Sequence, residues 1–262
     1  MITNFHTHTQ RCLHAFGSER DYVETAVKQG VAILGFSDHG PFPDKDYGLR
    51  MKYEELPEYI SEIDKLNEEF KDVIKLHKGL EIEYHPQYAD YYKILLSETG
   101  LEYLILGEHM YTLPNEQMKN IFFAEKTTDF IDYARAIEEA LATGSFATLA
   151  HPDIMFINEL AWDTNCTKAC DIILSAAEKY DIPLEFNANG IRRGKSDFPD
   201  GKRYPYPHER FWSELKGSKQ KVIIGSDSHA PEQIYDESFR ISEKICSELN
   251  LNVIKTLFQE EQ

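Results

Sequence analysis

The sequence is poor in several features that define whole classes of proteins. It has four cysteines in 262 residues, none of them in a C-x-x-C pair, so we expect reduced thiols and no disulfide framework. No apolar run approaches the roughly 18 residues that span a bilayer. The N-terminus "MITNFHTHTQ" lacks the basic and apolar regions of a signal peptide. These absences predict a cytoplasmic protein without a membrane segment.

Basic residues are also scarce, with 28 Lys and Arg against 45 Asp and Glu and a formal net charge of −17. Such a surface repels nucleic-acid phosphates and anionic lipids, so neither partner is expected. An anionic small substrate must then be held locally, by metal ions or a few arginines. No linker, fixed-period repeat or low-complexity tract divides the chain, which predicts a single domain over residues 1–262. The oligomeric state does not follow from the sequence.

What the sequence does have is an alternation of apolar runs and helical segments. The first helical segment, "SERDYVETAVKQG", starts with a capping box at Ser18 and Asp21 and ends at Gly30. Seven units of this kind imply a parallel sheet covered by helices, as a seven-unit (β/α) barrel or a doubly wound open sheet. The predicted strands are "ITNF", "VAILGFSDH", "VIKLHKGLEIEY", "LEYLILGEH", "FATLAHP", "PLEFNANG" and "KVIIGSDSH".

Every predicted strand ends in side chains of the type that binds metals. In an α/β barrel the carboxyl ends of all strands converge on one site, whereas an open sheet concentrates its site at one switch point. The pattern therefore favours the barrel. In chain order the residues are His6 and His8, His39, Glu81 and Glu83, His109, His151, Glu185 and Asn187, and Asp227 and His229.

The pair His6 and His8 is the most informative of these sets. Residues i and i+2 of a strand point to the same face, so the two imidazoles are placed side by side, as two ligands of one metal would be. Burying many histidines and carboxylates together is costly without cations to share among them. His77 and His85 are instead predicted to be structural histidines, and His208 is a loop residue without an identifiable partner.

The segments "FHTHT", "FSDHGPFP", "GLEIEY", "ILGEHM", "AHPD" and "GSDSHAP" occur in this order over nearly the whole chain. The ordered set resembles the polymerase and histidinol phosphatase (PHP) superfamily, and most of all its free-standing histidinol-phosphatase branch. The resemblance implies a distorted, TIM-like seven-unit barrel that holds three divalent metal ions at the carboxyl ends of its strands. It also implies hydrolysis of L-histidinol phosphate to L-histidinol and phosphate in histidine biosynthesis.

The resemblance also implies a set of ligands for each metal. The first metal would be held by His6, His8, Glu81 and Asp227. Glu81 would bridge to a second metal bound by His109 and His151, and a third would be held by His14, His39 and His229. Glu81, Asp227 and His229 are the predicted catalytic residues of this set.

Two bridged metals lower the pKa of a shared water and clamp the oxygens of an in-line displacement at phosphorus, so the chemistry indicates a phosphoesterase. Sites rich in imidazole accept Zn, Mn or Fe, and the sequence does not identify which is bound.

Several further residues receive weaker predictions. An arginine after the "N-x-x-G" turn contacts phosphate in the family branch, which favours Arg192 over Arg193 as the substrate phosphate-binding residue. Arg50 is a lesser candidate for the same role. Cys12 is predicted to be a structural thiol, and Asp38 either orients a ligand imidazole or caps a loop. The aromatic residues Tyr84 and Tyr111 are candidates either for an imidazole pocket or for the core, since a barrel of this composition needs core aromatics as well.

Other functions remain open at this stage. The protein could be a PHP phosphoesterase that acts on another small phosphate ester or on nucleic-acid ends, or a metal-binding domain without catalytic activity. The acidic composition disfavours a nuclease, and a domain without activity would be expected to have lost ligands. An amidohydrolase is compatible with H-x-H alone, but the lysine and further histidines that it needs cannot be placed.

Overall fold

The computed structural model of the chain describes residues 1–258, so residues 259–262 of the predicted domain lie outside the described part. Its twelve strands are β1 (Ile2–Asn4), β2 (Val31–Phe36), β3 (Lys75–Ile82), β4 (Tyr103–Leu106), β5 (Met110–Thr112), β6 (Met118–Asn120), β7 (Thr148–Leu149), β8 (Leu184–Asn187), β9 (Ser196–Phe198), β10 (Gly201–Arg203), β11 (Lys221–Gly225) and β12 (Asn252–Val253). Eight of them form one parallel sheet in the order β1-β2-β3-β4-β7-β8-β11-β12. All seven predicted strands are present, and β12 is an additional short one.

The helices follow the strands as the alternating pattern predicts, and their apolar faces pack on the outside of the sheet. In α1 the predicted capping box is confirmed, because the Ser18 side chain accepts from the backbone N–H of Asp21 and the Asp21 carboxylate accepts from that of Ser18. The eight α-helices of the described residues are α1 (Glu19–Lys28), α2 (Leu56–Phe70), α3 (Ala89–Glu98), α4 (Thr128–Ala142), α5 (Thr164–Tyr180), α6 (Ala188–Arg192), α7 (Glu209–Ser213) and α8 (Glu237–Glu248).

The sheet curls until its first strand meets β11. An isolated parallel bridge joins Thr7 to Ser228, and the backbone N–H of His8 donates to the Ser228 carbonyl over 2.9 Å. Below this bridge the Asn4 side-chain oxygen accepts from the backbone N–H of Ser226 over 2.9 Å. The contacts confirm a distorted barrel rather than an open sheet, and they bring the ends of the first and last predicted strands together.

Alternation along each strand separates an outer core from an inner one. In β4, Leu104 and Leu106 face the helices, whereas Tyr103 and Ile105 belong to a second cluster inside the barrel. This inner cluster fills the barrel beneath the histidines and holds Phe5, Ala150 and Ile223 as further members. The site therefore rests on a packed floor.

Two short hairpins were not predicted from the sequence. The antiparallel pair β5 and β6 follows β4, and the pair β9 and β10 follows α6. The first hairpin contributes Met110 and Asn120 to the wall of the cavity at the barrel mouth. Within residues 1–258, no helix has both the length and the apolar character needed to cross a membrane.

Candidate metal centre

The structure brings all nine predicted metal ligands together at the mouth of the barrel. In the first cluster, His6 Nε2 and His8 Nε2 are 2.9 Å apart. The Glu81 Oε2 atom lies 3.3 Å from the first nitrogen and 3.4 Å from the second. Asp227 Oδ1 lies 3.7 and 3.3 Å from the same two nitrogens. Four donor atoms from three strands therefore face one point.

The other oxygen of Glu81 faces a second cluster. Glu81 Oε1 lies 2.9 Å from His151 Nε2 and 3.6 Å from His109 Nε2, and these two nitrogens are 3.2 Å apart. The carboxylate thus presents one oxygen to each cluster, which is the arrangement expected of a bridging ligand.

A third cluster joins His14, His39 and His229, each of which offers a ligand atom within 4.8 Å of the others. The Nε2 atoms of His14 and His229 are 3.0 Å apart. His14 lies in the loop after β1 and is exposed, whereas His39 and His229 are half-buried. His39 also links the clusters, because its Nδ1 lies 3.2 Å from Glu81 Oε2.

Two of these residues occupy strained backbone conformations. His151 has φ of 27° and Asp227 has φ of 47°, in the left-handed region that favours glycine. Strain of this kind tends to collect at functional sites, where the surrounding structure over-determines the backbone. Only glycine fits at position 107 without a shift of the site, because a Cβ atom there would lie 2.2 Å from Glu81 Oε1.

The electrostatics of the centre keep its carboxylates ionised but divide its imidazoles, because the neighbouring carboxylates outweigh burial at His6 and His109 and raise the pKa of both rings. Burial alone would raise the pKa of Glu81, but the imidazoles of His6, His109 and His39 overcome burial and hold that pKa well below its usual range. Asp227 behaves in the same way. Burial, reinforced by the charge of His229, lowers the pKa of His8 to about 3. Ionised carboxylates and neutral imidazoles are the forms that bind cations.

A buried carboxylate that received no role from the sequence supports this centre. Glu185 Oε1 lies 2.7 Å from His6 Nδ1, and its Oε2 accepts from the backbone N–H of His151 over 3.1 Å. The Asn187 amide donates to the same Oε2 over 2.8 Å. A carboxylate on the far nitrogen of a ligand histidine fixes its tautomer and orientation. The signal was present in the sequence, since Glu185 is one of the polar residues that end the sixth predicted strand.

The two candidate phosphate-binding arginines occupy different environments. Arg192 is half-buried, and its Nε donates to Asp236 Oδ2 over 2.7 Å. Its remaining nitrogens donate to Asn189, the Ser226 carbonyl and hydroxyl, and the Gln233 carbonyl. Arg193 is exposed and lines the cavity, with its guanidinium carbon 6.0 Å from the centre of the Tyr206 ring. The preference for Arg192 is not supported by its position, and Arg193 is the better placed of the two.

Arg50, the lesser phosphate candidate, is buried, and its guanidinium is paired with Glu83. Asp38 accepts from the backbone N–H and the hydroxyl of Thr9 over 2.7 and 2.8 Å, so it holds the loop after β1 and makes no hydrogen bond to an imidazole. Cys12 is fully buried, and burial raises the pKa of its thiol to about 12. A thiol with that pKa is a poor nucleophile, as predicted.

The remaining histidines are structural. His77 Nδ1 pairs with Glu102 over 2.9 Å, and His85 Nδ1 lies 3.1 Å from the Thr112 hydroxyl. His208, which had no identifiable partner at the level of sequence, pairs through Nε2 with Asp200 over 2.9 Å.

The two aromatic candidates for a substrate pocket lie in the core and not in the wall of the cavity. Tyr84 and Tyr111 pack in the outer core, because Tyr84 follows the inward-facing Glu83 and so points the other way. Tyr47, Phe122 and Tyr206 line the cavity instead. The wall of this cavity contains members of all three clusters. Its volume of about 450 Å³ lies within the size range of small-molecule sites.

Comparison with known proteins gives concordant matches. The family model described as the PHP domain matches residues 4–189. A probable histidinol-phosphatase of Deinococcus radiodurans is 28% identical over 251 residues, or 93% of this chain and 91% of that protein. The histidinol-phosphatase of Bacillus subtilis is 24% identical, with 86% of this chain and 92% of that protein covered.

A solved structure agrees with the fold. The histidinol phosphate phosphatase from Lactococcus lactis, in complex with Zn, L-histidinol and phosphate, superimposes with a TM-score of 0.72 at 20% sequence identity. The superposition covers 97% of this chain and 95% of that one.

Fold and site together define an α/β-barrel protein whose strand ends carry a cluster of histidines and carboxylates suited to several cations. Because the family model covers well over half of the sequence, the chain belongs to the PHP domain family.

Proposed function

We propose that this protein is a metal-dependent phosphomonoesterase that hydrolyses L-histidinol phosphate to L-histidinol and phosphate. The phosphoesterase part rests on Glu81, whose two oxygens face two separate groups of ligand atoms. The assignment of the substrate is supported by the relatives named histidinol-phosphatase, which align with this chain over most of its length. We assign the activity to one PHP-type domain over residues 1–262.

The donor set fits three divalent ions. In each cluster a pair of imidazole nitrogens approaches to between 2.9 and 3.2 Å, and a cation between them satisfies both lone pairs at once. The first ion is assigned to His6, His8, Glu81 and Asp227, the second to Glu81, His109 and His151, and the third to His14, His39 and His229. Such a set accepts Zn, Mn or Fe, and zinc is present in the related Lactococcus lactis structure.

When bound, ions in such a site polarise a phosphate ester and make a water nucleophilic near neutral pH. The residues of the chain would bind these ions and line the space around the reacting group. Glu81 and Asp227 stay ionised, and together with His229 they are the residues that we assign to catalysis. His229 Nδ1 lies 3.2 Å from the backbone carbonyl oxygen of Asp227 and 3.4 Å from its Oδ1, and these contacts hold the His229 ring beside the cavity.

Arg193 is proposed to bind the phosphate. Within residues 1–258 no carboxylate forms an ion pair with its guanidinium, so its donors remain available to an anion in the cavity. A planar guanidinium suits a phosphate dianion because it can donate two parallel hydrogen bonds.

The rest of the cavity suits the other end of the substrate. Histidinol phosphate carries an ammonium group and an imidazole in addition to its phosphate. Tyr47, Phe122 and Tyr206 give aromatic walls that suit the imidazole, while Glu83, which also borders the cavity, is paired with Arg50. A small phosphomonoester is therefore a better match than a nucleic acid, which the formal charge of −17 would repel.

The test is the ratio of kcat/KM for L-histidinol phosphate to that for p-nitrophenyl phosphate, measured with purified protein of known metal content. We expect the ratio to exceed one although p-nitrophenolate is the better leaving group, because binding energy from the remote imidazole and ammonium is used in the transition state. Equal values would leave a metal phosphoesterase but exclude histidinol phosphate as its preferred substrate.

A further inference from the structure

Arg50 lies at the end of the loop that follows β2, and it holds this loop closed. Its Nη1 donates to the Gly40 carbonyl over 3.0 Å and its Nε donates to the Gly48 carbonyl over 3.2 Å. One side chain thus ties the first part of the loop, just after His39, to its last part. Tyr47, which lines the cavity, lies on the segment that these two hydrogen bonds fix.

The same guanidinium forms a two-pronged ion pair with Glu83, which lies at the end of β3. Nη1 donates to Glu83 Oε2 over 2.9 Å and Nη2 donates to Oε1 over 3.1 Å. Arg50 is 6% exposed and Glu83 is 2% exposed, so water cannot replace either partner.

Glu83 in turn contacts a residue of the second cluster. Its Oε1 lies 3.4 Å from His109 Nδ1, while His109 Nε2 faces His151 Nε2 at 3.2 Å. A carboxylate next to Nδ1 keeps the proton on that nitrogen and leaves the Nε2 lone pair directed into the cluster. The ring is also stacked on Phe122, with an angle of 8° between the two planes, so the carboxylate and the aromatic ring together set its orientation.

We propose that Arg50 is a positioning residue that acts in two directions: through Glu83 it orients His109 for metal binding, and through the loop of residues 40–49 it fixes one wall of the substrate cavity. The inference rests on the proposed function in one respect, namely that His109 is a metal ligand. It adds a residue that is not one of the proposed metal ligands and that couples the shape of the cavity to the geometry of the second metal site.

Lysine cannot replace this arginine, because an ammonium lacks the planar fork that reaches both Glu83 oxygens and both loop carbonyls. We therefore expect Arg50→Lys to keep the charge but to lower the affinity of the second site by about 10–100-fold, the range typical of residues that support a ligand. We also expect a higher KM, because the wall that carries Tyr47 loses its anchor.

A single loss of Arg50 would leave Glu83 buried without a partner, which by itself destabilises proteins. The double variant Arg50→Met with Glu83→Gln avoids this, because both charges leave together while the glutamine keeps an oxygen that can face His109. We expect it to fold and still to bind the second metal about 10–100-fold more weakly. Arg20→Lys is the matched control, since Arg20 forms a comparable two-pronged pair with Glu69 on an exposed surface.

The experiment measures Zn²⁺ and Co²⁺ affinity by competition with a chelator, the visible absorption of the Co²⁺ protein, thermal melting, and KM and kcat separately. We expect both Arg50 variants to bind metal more weakly at one site and to show a changed Co²⁺ spectrum. The Arg20→Lys control should have the metal affinity and the spectrum of the parent. Parent-like metal affinity and spectrum in Arg50→Lys or in the double variant would overturn the positioning role, even if melting temperatures fell. A parent protein that binds no metal would overturn the proposed function as well, and the metal measurements do not depend on which phosphate ester is the substrate.

Discussion

Gly107 offers a way to disturb the metal centre without touching any proposed ligand. A methyl group there would place a Cβ atom 2.2 Å from Glu81 Oε1 and 2.5 Å from the carboxylate carbon. Non-bonded heavy atoms prefer separations of about 3.5 Å, so the carboxylate must retreat by about 1 Å. A displacement of about 1 Å at a reacting centre costs on the order of 10²-fold in rate, or about 2.7 kcal/mol. Because Glu81 faces two clusters, Gly107→Ala should also reduce the metal content.

The assay is kcat/KM for L-histidinol phosphate together with elemental analysis of metal per chain, on protein whose fold is verified by circular dichroism. Gly35→Ala is the matched control, because its Cβ atom would lie 2.3 Å from the Tyr103 hydroxyl in the floor of the barrel. The control should lower the melting temperature while the folded protein keeps its metals. Parent-like metal content and kcat/KM in folded Gly107→Ala would refute the reasoning about Glu81.

Four further outcomes are expected. Arg193→Ala should lower kcat/KM by about 2–4 kcal/mol equivalent, the scale for loss of one donor to developing charge. Arg192→Ala, which unpairs Asp236, should mainly lower the melting temperature; steady-state kinetics and melts on both variants separate the two roles. Removal of the metals with a chelator should lower the melting temperature, and added Zn²⁺ should restore it. Elemental analysis after tag removal should give close to three ions per chain. Full activity with an empty site would contradict the assignment of the ligands. Burial lowers the pKa of His85 to about 4 from 6.5, so between these pH values the unfolded chain binds a proton that the folded chain does not, and stability rises with pH across that window. His85→Gln should flatten this slope by up to about 3 kcal/mol over the window in urea unfolding, and an unchanged slope would mean that His85 is not the titrating group.

The strands and the histidine clusters could be predicted from the sequence because both depend on local, periodic patterns. The apolar runs mark the strands, and the two-residue period places His6 beside His8 on one face. Convergence of the strand ends then follows from the barrel itself, as the distances around Glu81 illustrate. The same rule was sufficient to exclude Tyr84 from the cavity, since its neighbour Glu83 faces inward.

The roles of the arginines could not be predicted in this way, because they depend on partners that are distant in sequence. Arg192 is engaged by Asp236 and Gln233, both more than 40 residues later in the chain. Arg50 reaches Glu83 across two elements. The hairpin of β5 and β6 was missed for a different reason, since strands of three residues are too short to show a period.

The proposed ligand types would allow a strongly acidic protein to bind a phosphate dianion. Only two of the nine proposed ligands, Glu81 and Asp227, carry a negative charge, and the other seven are imidazoles that bind as neutral groups. Three divalent ions at these positions would carry more positive charge than two carboxylates cancel, so the loaded centre would be positive although the chain has a formal charge of −17. Glu83 does not reverse this balance, because Arg50 neutralises it within the buried pair. An all-carboxylate centre of the same size would repel the substrate, and that electrostatic requirement accounts for the concentration of histidines at the strand ends.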